Sequence, residues 1–225
     1  MKKLASRVIS CTLCPRLVEY RQQVGESAPR RFRGDEYWSK PLPGFGDPAA
    51  KLLVLGLAPA AHGGNRTGRV FTGDATARFL MRGLFDAGFA SQPTSDRTND
   101  GLALRDAYLT AAVKCAPPAN RPSGEELSNC LPYLFEEFRL MPSARAILTL
   151  GRLAFDAYRR YLEEEKRIDT GSLVFRHGAL FRFGDKAPGM YVSYHPSPRN
   201  TQTGLLTMRM FSDILDRIKE DLAGG

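Results

Sequence analysis

Residues 51–69 read KLLVLGLAPAAHGGNRTGR, and the change of character inside this stretch decides the fold. Leu52, Leu53, Val54 and Leu55 form a continuous apolar run, which is the pattern of a strand buried on both faces rather than one with a solvated side. After Gly56 the run gives way to glycines and polar residues, as expected of a loop leaving a strand end. Three more short runs have the same form, at 107–113 (AYLTAAV), 144–151 (ARAILTLG) and 190–194 (MYVSY). Between them, apolar residues recur every third or fourth place over about 75–87, 124–139 and 151–165, and again over 203–222. Strands alternating with helices predict a three-layer α/β sandwich: a central, mostly parallel four-stranded sheet flanked by helices. Residues 172–183 (SLVFRHGALFRF) predict an edge hairpin turning at His177-Gly178, and residues 15–25 a short helix.

The 225 residues suffice for one sizeable core, and no composition break divides them. The expectation is one domain over 1–225, with residues 1–50 as an N-terminal arm, acting as a monomer. No apolar run approaches the length of a membrane span. The formal charge of +8, carried by 24 arginines against 8 lysines, favours a polyanionic partner such as nucleic acid, because guanidinium forks grip phosphate bidentately. An arginine-rich codon bias is the plain alternative. The opening MKKLASRVIS is interrupted by Arg7 and is too short for an export signal, so a cytoplasmic, reducing location is expected.

In such a compartment the four cysteines read as ligands rather than bridges. Cys11 and Cys14 supply two thiolates from one turn, and Cys115 and Cys130 supply two more from far downstream. Four thiolates suit either zinc or a [4Fe–4S] cluster. Structural zinc usually uses two short knuckles, whereas fourteen residues separate Cys115 from Cys130. That spacing favours the cluster, held in a structural role that docks the arm.

In an open parallel sheet, the loops leaving the carboxyl ends of the strands form the ligand crevice. Three polar loops stand there: Gly56–Arg69 followed by Phe71-Thr-Gly73-Asp74, then Lys114-Cys115-Ala-Pro-Pro-Ala-Asn120-Arg121-Pro122, then His195-Pro-Ser-Pro-Arg199-Asn200. Together with the cysteine spacing, GLAPAAHGGNRTGR with FTGD, KCAPPANRP and HPSPRNTQTG resemble the uracil-DNA glycosylase superfamily. The resemblance is to its iron–sulfur-containing family 5, over nearly the whole chain.

The resemblance implies hydrolysis of the N-glycosidic bond of uracil in DNA, leaving an abasic site for base-excision repair. The target nucleotide must first be extruded from the stack. It implies His195 as hydrogen-bond donor to the departing base and Phe71 as its stacking partner, with Gly56, Ala58 and His62 around the base. Relatives carry an acid or amide at the position of Leu57 or Ala58, so water activation falls to Asn120 or Asp74. Each has a structural reading as well: Asp74 precedes ATARFLMRGLF and suits a helix N-cap, and Asn120 suits a turn.

For DNA contact the resemblance offers Gly63, Gly64, Arg66, Arg69, Arg121 and Ser197, with Arg199 and Asn200 as candidate wedge. Where family 4 has an asparagine reading the uracil edge, the stretch Thr110-Ala111-Ala112-Val113 has alanine. That loss predicts tolerance of other deaminated bases such as hypoxanthine. The alternative class is a non-catalytic binder of damaged or single-stranded DNA with structural zinc, which the missing first-motif acid leaves open.

Overall fold

A computed structural model describes residues 1–224. In chain order its elements are α1 (Lys2–Ile9), α2 (Pro15–Glu26), β1 (Phe45–Gly46), β2 (Leu52–Gly56), α3 (Gly64–Thr67), α4 (Ala75–Asp86), β3 (Ala107–Ala111) and α5 (Gly124–Arg139). There follow β4 (Ala146–Leu150), α6 (Arg152–Glu164), β5 (Leu180–Phe181), β6 (Gly189–Ser193), α7 (Pro198–Gln202) and α8 (Met208–Ala223). The strands form one mixed sheet in the order β1-β3-β2-β4-β6-β5. The inner four are parallel and are the four predicted apolar runs. The two-residue edge strands pair antiparallel and are too short to announce themselves by alternation.

Every residue of β2, β3 and β4 is buried. Along β2, Leu52 and Val54 face the side covered by α4 and α8, and Leu53 and Leu55 the side covered by α5 and α6. This period-2 division makes the sheet the middle layer, and each such side chain contributes about 1.5–3 kcal/mol on burial. The chain leaves β2 toward β3 on one side and β4 toward β6 on the other, so the crevice of a doubly wound sheet opens over this reversal.

Two expectations need correction. Residues 172–183 do not form their own hairpin: β5 pairs with β6, and the turn at His177-Gly178 is tied to β6 by Gly178 N–H to Val192 O at 2.8 Å. The stretch 203–222 is not continuous helix. Gly204 takes φ +75°, and α8 starts only after Thr207, whose hydroxyl accepts from Met210 N–H at 3.2 Å. Helix α1 had no clear signal. Its Leu4 and Val8 are buried, and Arg7 pairs with Glu136 of α5 at 2.8 Å.

The arm packs through α2. Its fully buried Leu17 meets Val113 and Cys115, just beyond β3, and Cys130 of α5. There Lys114, 2% exposed, pairs with the equally buried Glu137 at 2.6 Å, and Thr110 donates to the same carboxylate at 2.6 Å. This satisfied ion pair bolts the start of the 114–122 loop to α5. Among the described residues, no helix is long and apolar enough to cross a membrane.

Candidate active site

A cleft of about 660 Å³ lies at the carboxyl ends of β2, β3 and β6. Phe71, Asp74, Asn120 and His195 line it together, with Ala58, His62, Gly63, Gly64 and Ser197. The three polar loops read from the sequence therefore meet around one space. Gly56 lies beneath it: the residue is buried, and a β-carbon there would come within 2.5 Å of the Phe71 ring. The missing side chain seats the aromatic rather than touching a ligand.

Phe71 holds φ +49°, and Ala119 and Asn120 hold +51° and +56° in succession. Left-handed backbone is uncommon for side-chain-bearing residues and costs on the order of 1–3 kcal/mol each, so the fold aims these groups against local preference. Asn120 is exposed at the end of a short 3-10 turn, Pro118–Asn120, and among the described residues only its backbone N–H is bonded, to the Pro117 carbonyl at 3.1 Å.

Asp74 is the N-cap of α4 and also lines the cleft. One oxygen, Oδ1, caps α4 by accepting from Ala77 N–H at 2.8 Å. The other, Oδ2, faces Gly63, where a β-carbon would stand 2.2 Å away. Burial raises the Asp74 pKa, against the lowering effect of peptide N–H groups of Ala77 and Thr76 and the charges of Arg78 and Arg66.

His195 follows β6. Desolvation lowers its pKa to about 4, so at neutral pH the imidazole is uncharged and its N–H can donate. Its carbonyl accepts from Ser197 N–H at 2.8 Å and from the Asn200 side-chain amide at 2.8 Å. Ser197 in turn caps α7. Asn200 is thus a staple of the loop and not a free wedge, whereas Arg199 is exposed. His62 Nδ1 lies 2.9 Å from the Tyr37 hydroxyl, and burial followed by the charges of Arg31 and Arg66 lowers its pKa.

The arginines divide. Arg121 and Arg199 are exposed. Arg66 is turned into the loop, donating to the carbonyls of His62 and Gly73 and pairing with Asp35 at 2.9 Å. Arg69 corrects the sequence reading: it is 5% exposed, pairs with Asp100 at 2.7 Å and donates to Thr72 and Ser95. Its charge is neutralised inside the fold and meets no phosphate. The sequence reading also missed Tyr20, Arg31 and Phe32, which bring the arm into the cleft wall. Phe32 lies between two guanidinium groups, Arg31 at 4.7 Å and Arg66 at 4.2 Å. The signal was the basic and aromatic interleaving of RRFR at 30–33.

All four cysteines line a second, small cavity with Leu17, Arg21 and Tyr133, and none forms a disulfide. Two of the sulfurs have a side-chain donor. Arg21 reaches Cys115 Sγ at 2.9 Å and Asn129 reaches Cys14 Sγ at 3.6 Å. Burial pushes the Cys115 thiol up to about 12 and Cys130 to about 11, so without a metal both are neutral. Arg21 is then a buried cation facing uncharged thiols, with Nε unpartnered. Metal-bound thiolates would supply the missing negative charge, so the donor set fits a metal centre.

A profile described as the uracil DNA glycosylase superfamily matches residues 43–219. The chain is 47% identical over 218 residues to the type-5 uracil-DNA glycosylase of Thermus thermophilus, covering 96% of this chain and 94% of the relative. It is 44% identical to the type-5 enzyme of Pyrobaculum aerophilum, covering 96% and 91%. To the type-4 uracil-DNA glycosylase of the same organism it is 26% identical over 200 residues, covering 88% and 83%. With its three strand-end loops gathered on one cleft and these matches along nearly its whole length, the chain belongs to the uracil-DNA glycosylase superfamily, and within it to the type-5 group.

Proposed function

We propose that the protein hydrolyses the N-glycosidic bond of uracil in DNA, releasing the base and leaving an abasic site. The observation that carries this reading is the convergence of Phe71, Asp74, Asn120 and His195 on one cleft sized for an extruded nucleobase. Phe71 stacks the everted base. As the bond from the sugar carbon to the base nitrogen lengthens, negative charge builds on the base carbonyl, and the neutral His195 N–H donates to it. The unengaged Asn120 amide holds the water that attacks the sugar carbon, Asp74 Oδ2 stabilises positive charge there, and the proton that the water sheds ends on the departing base, which is released neutral.

Base tolerance extends beyond uracil to hypoxanthine. Ala111, the β3 residue in the cleft wall, presents no amide to read a pyrimidine edge. Duplex DNA is held by exposed guanidinium groups, Arg121 and Arg199 among them. The protein acts as a monomer in a reducing cytoplasm, its residues 1–225 forming one unit with the arm tied in by the cysteines. These hold a [4Fe–4S] cluster. The fourteen residues between Cys115 and Cys130, too many for a second zinc knuckle, support the multi-iron group over zinc.

A panel of single-lesion oligonucleotides tests the reading, with alkaline scission at abasic sites as readout. Scission at uracil and hypoxanthine is expected. Binding without scission would favour a passive damage-binding module, and scission at uracil alone would reject the wider tolerance.

A further inference from the structure

We propose that Arg21 is the fixed internal counter-cation of the four-cysteine site, setting how readily a cluster held there accepts an electron and how firmly it is retained. The inference rests on the cluster reading above. Arg21 is 4% exposed. The other buried cations have carboxylate partners, Arg69 with Asp100 at 2.7 Å and Lys114 with Glu137 at 2.6 Å. Arg21 has none among the described residues. Its Nη1 donates to Cys115 Sγ at 2.9 Å and its Nη2 to the Cys11 carbonyl at 3.4 Å, and Nε is unpartnered. A charge withdrawn from water is retained only where something of opposite sign balances it, and sulfur is the only candidate beside it.

The four sulfurs do not receive equal help. Cys14 has a neutral donor, the Asn129 amide at 3.6 Å, whereas Cys115 has a charged one, Arg21 at 2.9 Å. Adding an electron from an external reductant to a thiolate-ligated cluster increases its negative charge and breaks no bond. A cation fixed at hydrogen-bond distance favours that reduced state more than a neutral donor does. Arg21 also touches the active side of the molecule, since its peptide carbonyl accepts from the fully buried Asn65 of the cleft loop at 3.1 Å.

The test uses the full-length chain purified without oxygen, as wild type, Arg21→Gln and Arg21→Lys. Iron and sulfide per chain, visible absorption, a dithionite titration and the rate of iron loss to a chelator are measured. Arg21→Gln is expected to shift the redox equilibrium at least tenfold toward the oxidised form, about 59 mV for one electron, and to lose iron several-fold faster. Arg21→Lys, which restores the charge, is expected to recover most of both.

Wild-type values in Arg21→Gln overturn the proposal, as do equal shifts in Gln and Lys, which would mean shape and not charge. Should Arg21→Gln fail to accumulate, the Arg21→Lys titration decides: a shift of a few-fold at most is expected, and tenfold or more rejects the idea. A wild type isolated with zinc sinks the cluster reading instead, and the chelator rates then judge the counter-charge alone.

Discussion

Gly63 stands so close to Asp74 that a β-carbon on it would lie 2.2 Å from Oδ2. One residue of the glycine-rich loop thereby fixes where the second carboxylate oxygen points while the first caps α4. Cap and catalytic roles separate by substitution. Asp74→Asn keeps a good capping group and is expected to hold the melting temperature within a few degrees while excision falls about a hundredfold. Asp74→Ala adds a stability loss of about 1 kcal/mol. Single-turnover excision beside thermal melting checks this; an unchanged rate in Asp74→Asn would leave Asp74 as a cap alone.

Acid should weaken the fold through its histidines. His195, His62 and His177 all have pKa values lowered by burial, His195 to about 4. In the unfolded chain each titrates near 6.5, so below that pH the unfolded state binds more protons. The stability they contribute is complete above about pH 6.5 and is lost as pH falls through their lowered values, which for His195 is about 4. The melting temperature is expected to fall between pH 7 and pH 5, less steeply in His195→Asn. Equal slopes would show that His195 is not desolvated.

Buried and exposed arginines should fail differently. Removing Arg69 strands Asp100, whose pKa the surrounding donors hold at about 2, and is expected to cost about 3–5 kcal/mol of stability without altering salt dependence. Arg121→Ala and Arg199→Ala are expected to leave stability nearly unchanged and to reduce the log–log salt slope of duplex binding by about one unit each. Denaturant melts and binding isotherms at several salt concentrations distinguish the two behaviours.

Removal of one cysteine tests whether the four-cysteine site is structural. Cys14→Ser is expected to lower folded yield several-fold more than it lowers turnover per folded molecule, because Cys14 begins α2 and thereby the arm's contact with β3. Normal melting with abolished turnover would instead put the site in the chemistry.

The inner strands were legible because burial on both faces leaves an uninterrupted apolar run, as in LLVL at 52–55. The edges were not, since two residues cannot express a period. Phe71, Asn120 and His195 could be gathered from three loops because strand ends fix where loops emerge. Arg69 was misread because GNRTGR looks like a phosphate-binding loop, while the partner that turns it inward, Asp100, lies 31 residues downstream in a segment without pattern. The arm's part in the cleft was hidden for the same reason: Phe32 gains meaning only beside Arg66.

The paired left-handed residues Ala119 and Asn120 have an evolutionary consequence. Glycine at Ala119 would relax the turn and add heat resistance, yet it would also let the neighbouring Asn120 amide wander from its appointed direction. Selection for endurance and selection for speed therefore pull against each other at this corner, and a lineage that tolerates alanine there has given up some robustness for aim.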